Sequence, residues 1–242
     1  VNVGQPPCLD SNQGDFFFLC RRSPDRLVQT VVELCRQRLP NNMGIPAEQI
    51  QVLSPTRKGV CGTVNLNRAL QAALNPPAAG KRQKLWGDMV FREGDRVMQT
   101  RNNYDVVWEK DDGAMGAGIF NGDVGVIQEI DPSGELITIQ FDDRTCVYTA
   151  DLLNQLDMAY AMTVHKAQGS EYRCVVLVSA AVAPALMVRG VLYTAITRAR
   201  ELLVLVGDDV APGQMAANDR QQRRYSGLRR RLREEAANHG ME

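Results

Sequence analysis

Apolar residues recur along this chain with different periods in different stretches, and the order of those periods predicts its architecture. Phe16-Phe17-Phe18-Leu19 is an unbroken apolar run, the pattern of a buried strand. Ser23-Pro24-Asp25 signals a helix start, with Ser23 at the N-cap and Pro24 at the first helical position. Leu27, Val31, Leu34 and Cys35 then share one helical face, and Pro40 is the expected stop. Gln49–Leu53 predicts a second strand, which runs into the loop Ser54-Pro55-Thr56-Arg57-Lys58-Gly59. A helix with Leu66, Leu70 and Leu74 in register follows, ending at Asn75-Pro76-Pro77. Apolar strands alternating with helices predict a parallel α/β sheet.

The period changes near Gly94. From there to about Leu153 the chain is rich in Gly, Asp and β-branched residues, with turn signals at Gly122-Asp123 and Asp131-Pro132-Ser133-Gly134. Ile137, Ile139 and Phe141 alternate with Thr138 and Gln140, the period of a half-buried strand. These features predict a small antiparallel barrel, with Asp111–Gly118 as a mobile hairpin tip. Continuous apolar runs return at Cys174–Val178 and Leu202–Val206, as in strands covered on both faces. Between them Val188, Val191, Leu192, Ala195, Ile196 and Ala199 mark a helix. The expected organisation is an α/β domain over 1–93 and 158–242, with a β-barrel inserted at 94–157. An arginine-rich amphipathic segment, Asn218–Arg233, closes the chain.

Composition changes this picture little. The 242 residues are 44% hydrophobic and 23% charged, ordinary for a globular protein. Lys+Arg and Asp+Glu are both 28, so any nucleic-acid surface must come from local clustering, not bulk charge. The six cysteines show no Cys-x-x-Cys spacing and the two histidines, His165 and His239, lie far apart, so no metal site is expected. Scattered thiols, and the lack of a secretory signal or long apolar run, predict a cytoplasmic protein that does not touch membrane.

Two segments carry chemistry. Thr163-Val164-His165-Lys166-Ala167-Gln168-Gly169-Ser170-Glu171 precedes the strand at Val175, and Tyr193-Thr194-Ala195-Ile196-Thr197-Arg198-Ala199 precedes the strand at Leu203. The first resembles motif V and the second motif VI of superfamily 1 helicases, in the order found in a second RecA-like domain. Val52–Gly59 with Asn65-Leu66-Asn67 resembles the motif IV region of the RecD/TraA-type branch. Gly94–Tyr104 and Phe120–Gly125 resemble that branch's inserted Src-homology-3-like barrel. The chain is thus similar to the C-terminal part of a bacterial RecD-like, superfamily 1B ATP-dependent DNA helicase, of the kind found in the exodeoxyribonuclease V alpha chain. The implied fold is a RecA-like parallel sheet, P-loop NTPase-like but without the P-loop, bearing the inserted barrel.

The resemblance implies roles. ATP hydrolysis builds charge on the γ-phosphate oxygens, which an arginine from a neighbouring domain can meet bidentately. Arg198 holds that place, although a Thr-Arg-Ala alone would read as an exposed helix arginine. Arg57 or Lys58, in a loop after a strand where α/β folds bind ligands, is a second phosphate contact; which of the two matches the family stays open. Gln168, Gly169 and Glu171 form a polar turn, in which Glu171 would contact the nucleotide sugar and Gly169 would allow close backbone approach. Thr163, His165 and Lys166 would face single-stranded DNA. In the barrel, Arg101, Asn102, Asn103 and Tyr104 set charge, amides and an aromatic side by side, a mix suited to sequence-independent strand contact or simply to a turn. Arg220, Arg223, Arg224, Arg229, Arg230, Arg231 and Arg233 make a basic cluster that reads first as a solvated helix face.

No Gly-x-x-x-x-Gly-Lys-Ser/Thr occurs, and no Asp-Glu pair that could serve as a Walker B motif. Gly80-Lys81-Arg82 lacks the earlier glycine and the following hydroxyl. Because the chain opens on Val1, not Met, the first RecA-like domain is expected N-terminal to it, supplying the rest of an ATP and Mg²⁺ site in cis. The chain alone is expected to hydrolyse no ATP. The resemblance further implies 5′-to-3′ travel and work in recombination or repair, either alone or in a RecBC-type nuclease complex, between which the sequence does not choose. The rival readings are a non-catalytic DNA-binding module with a degenerate helicase fold, and an RNA helicase of the same superfamily.

Overall fold

A computed structural model describes residues 1, 3–5, 7–9, 14–180, 184–220, 231 and 235. Strand β1 (Phe16–Cys20) leads into helix α1 (Pro24–Glu33). Ser23 occupies the N-cap in extended geometry, but its side chain makes no cap hydrogen bond. The helix does not stop at Pro40. It passes through a π-helical turn, Leu34–Arg38, into α2 (Leu39–Met43). Proline has no N–H to give the preceding turn, and the wider turn, in which the Leu39 N–H donates to the Leu34 carbonyl, lets the coil continue past it. Gly44, at φ 61°, supplies the left-handed residue that ends it. β2 (Ile50–Ser54) and α3 (Thr63–Leu74) follow.

The next strands are short. β3 (Gln83–Trp86) and β4 (Met89–Arg92) form a hairpin with no clear alternation in sequence. β5 (Arg96–Gln99), β6 (Asn103–Lys110), β7 (Met115–Ile119), β8 (Val124–Ile130), β9 (Leu136–Phe141), β10 (Arg144–Thr149) and β11 (Leu156–Met158) make an antiparallel sheet ordered β11-β5-β8-β9-β10-β6-β7. Its inward positions, Ile137, Ile139, Phe141, Cys146 and Tyr148 among them, are fully buried. The expected tip at Asp111–Gly118 is shorter, since Met115 onward is strand paired with β6.

The chain then returns as β12 (Ala161–Thr163), β13 (Tyr172–Ser179), α4 (Arg189–Ile196), β14 (Ala199–Gly207) and α5 (Ala211–Ala217). Ala199, expected on the helix, opens β14 instead, because the chain leaves α4 at Thr197. With β1 and β2 these strands form a parallel sheet ordered β1-β14-β13-β2-β12. Alternate residues of β13 and β14 feed opposite cores. Val176, Val178, Val204 and Val206 pack with Leu27, Val31 and Leu66 of α1 and α3. Val175, Leu177, Leu203 and Leu205 pack with Val191, Leu192 and Ala195 of α4 and with Met215 of α5. Each such aliphatic side chain contributes about 1.5–3 kcal/mol on burial. This explains the unbroken apolar runs: both strand faces need hydrocarbon.

A buried polar seam ties the two sheets together. The Asp95 carboxylate, fully buried, accepts from Gln71 Nε2 at 2.6 Å, Asn75 Nδ2 at 2.7 Å, the Tyr160 hydroxyl at 2.9 Å and the Arg92 N–H at 2.7 Å. Burial raises its pKa above the usual carboxylate range, and these four donors pull against that rise. Beside it, Arg96 donates to the Ile50 carbonyl and to Gln51 Oε1, and Asn67 donates to the Met158 and Ala161 carbonyls.

Candidate functional site

The residues expected to act fall into three places. After β12 the chain winds through successive turns: Lys166 and Ala167 donate backbone N–H groups to the Thr163 carbonyl, Gln168 to His165, and Ser170 to Ala167. Val164 and Ala167 are buried and anchor the segment, which leaves His165, Gln168, Gly169 and Glu171 exposed. Gly169 adopts φ 90°, a left-handed conformation that explains the glycine. Thr163 pairs with Ser54 at the C-terminal ends of their strands, whereas Tyr172 pairs with Ala199 at the N-terminal ends of theirs. The segment 164–171 therefore carries the chain from one edge of the parallel sheet to the other, roughly 20 Å at the rise of a strand.

Arg198 sits at the N-terminal edge. Its guanidinium donates from Nη1 to the Ser170 carbonyl at 3.0 Å, from Nε to the Thr194 carbonyl at 3.1 Å and from Nη2 to Thr197 Oγ1 at 3.2 Å. Its own carbonyl accepts from the Tyr172 N–H at 2.8 Å. The arginine thus fastens α4 to the 164–171 segment, beside Glu171 and Gly169.

The second place lies at the C-terminal edge. The loop after β2 caps α3: the Thr56 and Arg57 carbonyls accept from the Thr63 and Val64 N–H groups. This turns Arg57 toward Lys166, not toward Arg198. Arg57 Nη2 and Lys166 Nζ each lie 3.4 Å from the same oxygen, Asp157 Oδ2. Thr163 and Thr63 line the same shallow pocket. Lys58 diverges from Arg57 and borders a separate depression with Arg21, Arg22 and Asp208. The sequence points to Arg57 and Lys166 but not to Asp157, whose only local signal is an acidic residue a few positions before the motif.

The third place is the antiparallel sheet. Arg101 Nη2 donates to Asn154 Oδ1 at 2.9 Å, Asn102 Oδ1 accepts the Asn121 N–H at 3.0 Å, and Asn103 Nδ2 donates to Gln155 Oε1 at 3.0 Å. These three hold loops together. Tyr104 projects outward, 67% exposed, in edge-to-face contact with the exposed Phe120 at 5.7 Å between ring centroids. Phe120 stands within the segment resembling the barrel, but only the fold brings it beside Tyr104, so the sequence does not single it out. Of the basic tail, Arg220 and Arg231 are exposed, and Arg223, Arg224, Arg229, Arg230 and Arg233 lie outside the described residues. Among the described residues no helix is long and apolar enough to cross a membrane, and no cluster of three or more His, Cys, Asp or Glu is placed to hold a metal.

Comparison with known proteins meets these sites at two levels. Residues 158–206, which hold both the 164–171 segment and Arg198, match the UvrD-like helicase C-terminal domain. Residues 66–141 match the SH3 domain of ATP-dependent RecD-like DNA helicases. An ATP-dependent RecD2 DNA helicase of Deinococcus radiodurans is 36% identical over 184 residues, 76% of this chain and 23% of that protein. The RecBCD enzyme subunit RecD of Mycolicibacterium smegmatis is 31% identical over 77% of this chain and 30% of its own length. A Bacteroides Pif1 helicase bound to single-stranded DNA is similar at a TM-score of 0.46 and 16% identity, covering 88% of this chain and 51% of that one. Residues 158–206 thus match a helicase C-terminal domain and residues 66–141 the RecD-like SH3 domain, and together with the RecD2 and RecD relatives they place the chain among the RecD-like helicases. It spans less than a third of the length of these two curated relatives.

Proposed function

We propose that this chain is the second motor domain of an ATP-dependent DNA helicase that travels 5′ to 3′ in recombination or repair. Residues 1–93 and 158–242 form its RecA-like part and 94–157 its inserted barrel. The observation that carries this reading is the Arg198 contact with Ser170, which links a phosphate-sensing arginine to the segment that also bears Lys166. ATP and Mg²⁺ bind with a P-loop domain in cis, in the cytoplasm, and a RecBC-type complex is a candidate assembly.

At that interface the Arg198 guanidinium meets the developing charge on the γ-phosphate. Glu171 accepts from the nucleotide sugar, while Gly169 and Gln168 shape the turn against it. Closing on the phosphate draws Arg198, and with it the 164–171 segment. Thr163, His165 and Lys166 lie on or beside that segment and move against the strand. Arg57 shares their surface, so it serves the strand; Lys58 leaves from the same C-terminal edge into a separate depression away from Arg198, so neither residue of the pair is assigned to the phosphate. Tyr104 offers a face for base stacking, and Arg101, Asn102 and Asn103 hold the loops that present it.

The test compares ATP turnover, with and without oligo(dT), by residues 1–242 and by the full-length protein. Turnover by the full-length protein alone is expected. Robust DNA-stimulated turnover by residues 1–242 would falsify the division of labour. DNA binding without turnover by the full-length protein would favour a non-catalytic module. Competition by oligo(U) as strong as by oligo(dT) would favour an RNA substrate.

A further inference from the structure

Arg57 and Lys166 share one carboxylate oxygen. Asp157 Oδ2 lies 3.4 Å from Arg57 Nη2 and 3.4 Å from Lys166 Nζ, while Oδ1 accepts the N–H of Met158 at 3.1 Å. Charge-assisted hydrogen bonds of this kind close to about 2.7–2.9 Å when fully formed. A single oxygen held loosely between two cations is a bridging geometry that one phosphodiester oxygen could adopt equally well. The arginine side chain is 60% exposed and the lysine 31%, against 21% for the aspartate, so a ligand can reach both cations from outside.

The three residues come from different parts of the fold. Arg57 follows β2, Lys166 follows β12, and Asp157 stands on β11 of the antiparallel sheet, paired with Met98. The two cations carry a net +2, which the carboxylate reduces to +1. From this arrangement we infer that Asp157 is a built-in counter-anion, occupying the place a nucleic-acid phosphate takes on Arg57 and Lys166 and lowering strand affinity by competing for them. The inference rests on the strand-binding role proposed for Lys166 and Arg57. A motor that steps must release each phosphate it grips, and an internal competitor one residue long favours release. The displaced carboxylate sits on the strand at the antiparallel sheet's edge, so exchange at this point also reports to the barrel.

The experiment is fluorescence-anisotropy titration of labelled oligo(dT) with the full-length protein, across a series of salt concentrations. Asp157→Asn is expected to bind about two- to five-fold tighter, the range for relieving one partly exposed charge pair. Its affinity should also fall more steeply with salt, by up to about 0.7 in logarithmic slope for one further phosphate contact on a single strand. Arg57→Gln and Lys166→Gln should each weaken binding. In the Arg57→Gln/Lys166→Gln background, adding Asp157→Asn should change nothing. Should Asp157→Asn bind as wild type or more weakly with its thermal melting unchanged, Asp157 merely positions Lys166 and the inference fails alone. It fails in the same way if the tightening persists without the two cations. Should neither Gln variant weaken binding, the strand-binding reading of this cluster fails and the inference goes with it.

Discussion

The site residues differ in what their side chains already do. Arg198 engages the Ser170 and Thr194 carbonyls and the Thr197 hydroxyl, so contacts within the chain set the direction of its guanidinium. Lysine keeps the charge but not the planar fork. Arg198→Lys in the full-length protein should therefore lower the ATPase kcat by roughly 10³-fold, the smaller end of what arginine fingers supply. Its oligo(dT) affinity without nucleotide should stay within a factor of two or so of wild type. Steady-state turnover beside equilibrium binding separates these; equal loss of both would mean that Arg198 only braces the fold. Among the barrel residues, Tyr104 and Phe120 present exposed rings, whereas Asn103 is turned to Gln155. Tyr104→Ala and Phe120→Ala should each cost about 1–3 kcal/mol of strand affinity, as loss of a stacking platform does. Asn103→Ala should lower the melting temperature instead, with little change in binding.

At the scale of elements, the loop after β2 is shaped by its fit to α3. A Cβ at Gly62 would stand 2.5 Å from the carbonyl oxygens of both Arg57 and Lys58. Gly62→Ala must push that loop away from the helix end, moving Arg57 off Asp157. The expected result is weaker oligo(dT) binding and a lower Tm; unaltered binding with unaltered Tm would show the loop to be freely adaptable. The β8–β9 turn offers a pH test. The Ser133 hydroxyl, first, and then the Leu136 N–H hold the Asp131 carboxyl down to about 2. A depressed folded-state pKa means that the carboxylate's stabilisation is complete above the unfolded value near 3.9. It is lost as pH falls from there through about 2. Carbon-detected NMR titration of Asp131 should show that low midpoint, and one near 4 would contradict the turn geometry.

Across the whole molecule, the polar seam at Asp95 sets how the antiparallel sheet is mounted on the parallel one. Four donors from α3, β4 and the return segment converge on one buried carboxylate. Asp95→Ala would leave the Tyr160 hydroxyl and the Arg92 N–H buried without an acceptor, while Gln71 and Asn75 keep the Val90 and Glu93 carbonyls, at a cost of about 2–6 kcal/mol. Calorimetry should show a large drop in Tm. A near-wild-type Tm would mean that water enters the seam, and that the two sheets are held by their shared apolar core instead.

The sequence by itself determined what depends on short-range order. Unbroken apolar runs at Cys174–Val178 and Leu202–Val206 specified strands buried on both faces, and alternation at Ile137–Phe141 specified an inward sheet face. The spacing of Thr163 through Glu171, and of Tyr193 through Arg198, singled out one segment and one helix end, which the Arg198–Ser170 hydrogen bond joins. Tertiary structure decided what depends on residues far apart in the chain. Pro40 continues a helix because a π turn widens before it, and Ala199 begins a strand because α4 ends at Thr197. Arg57 faces Lys166 and not Arg198 because its loop caps α3, a choice no local pattern records. Asp157 is a hundred positions from Arg57, and its meaning arises only where three elements bring three charges to one point. Periodicity encodes burial, which is a property of single residues, whereas a binding site is a property of their convergence.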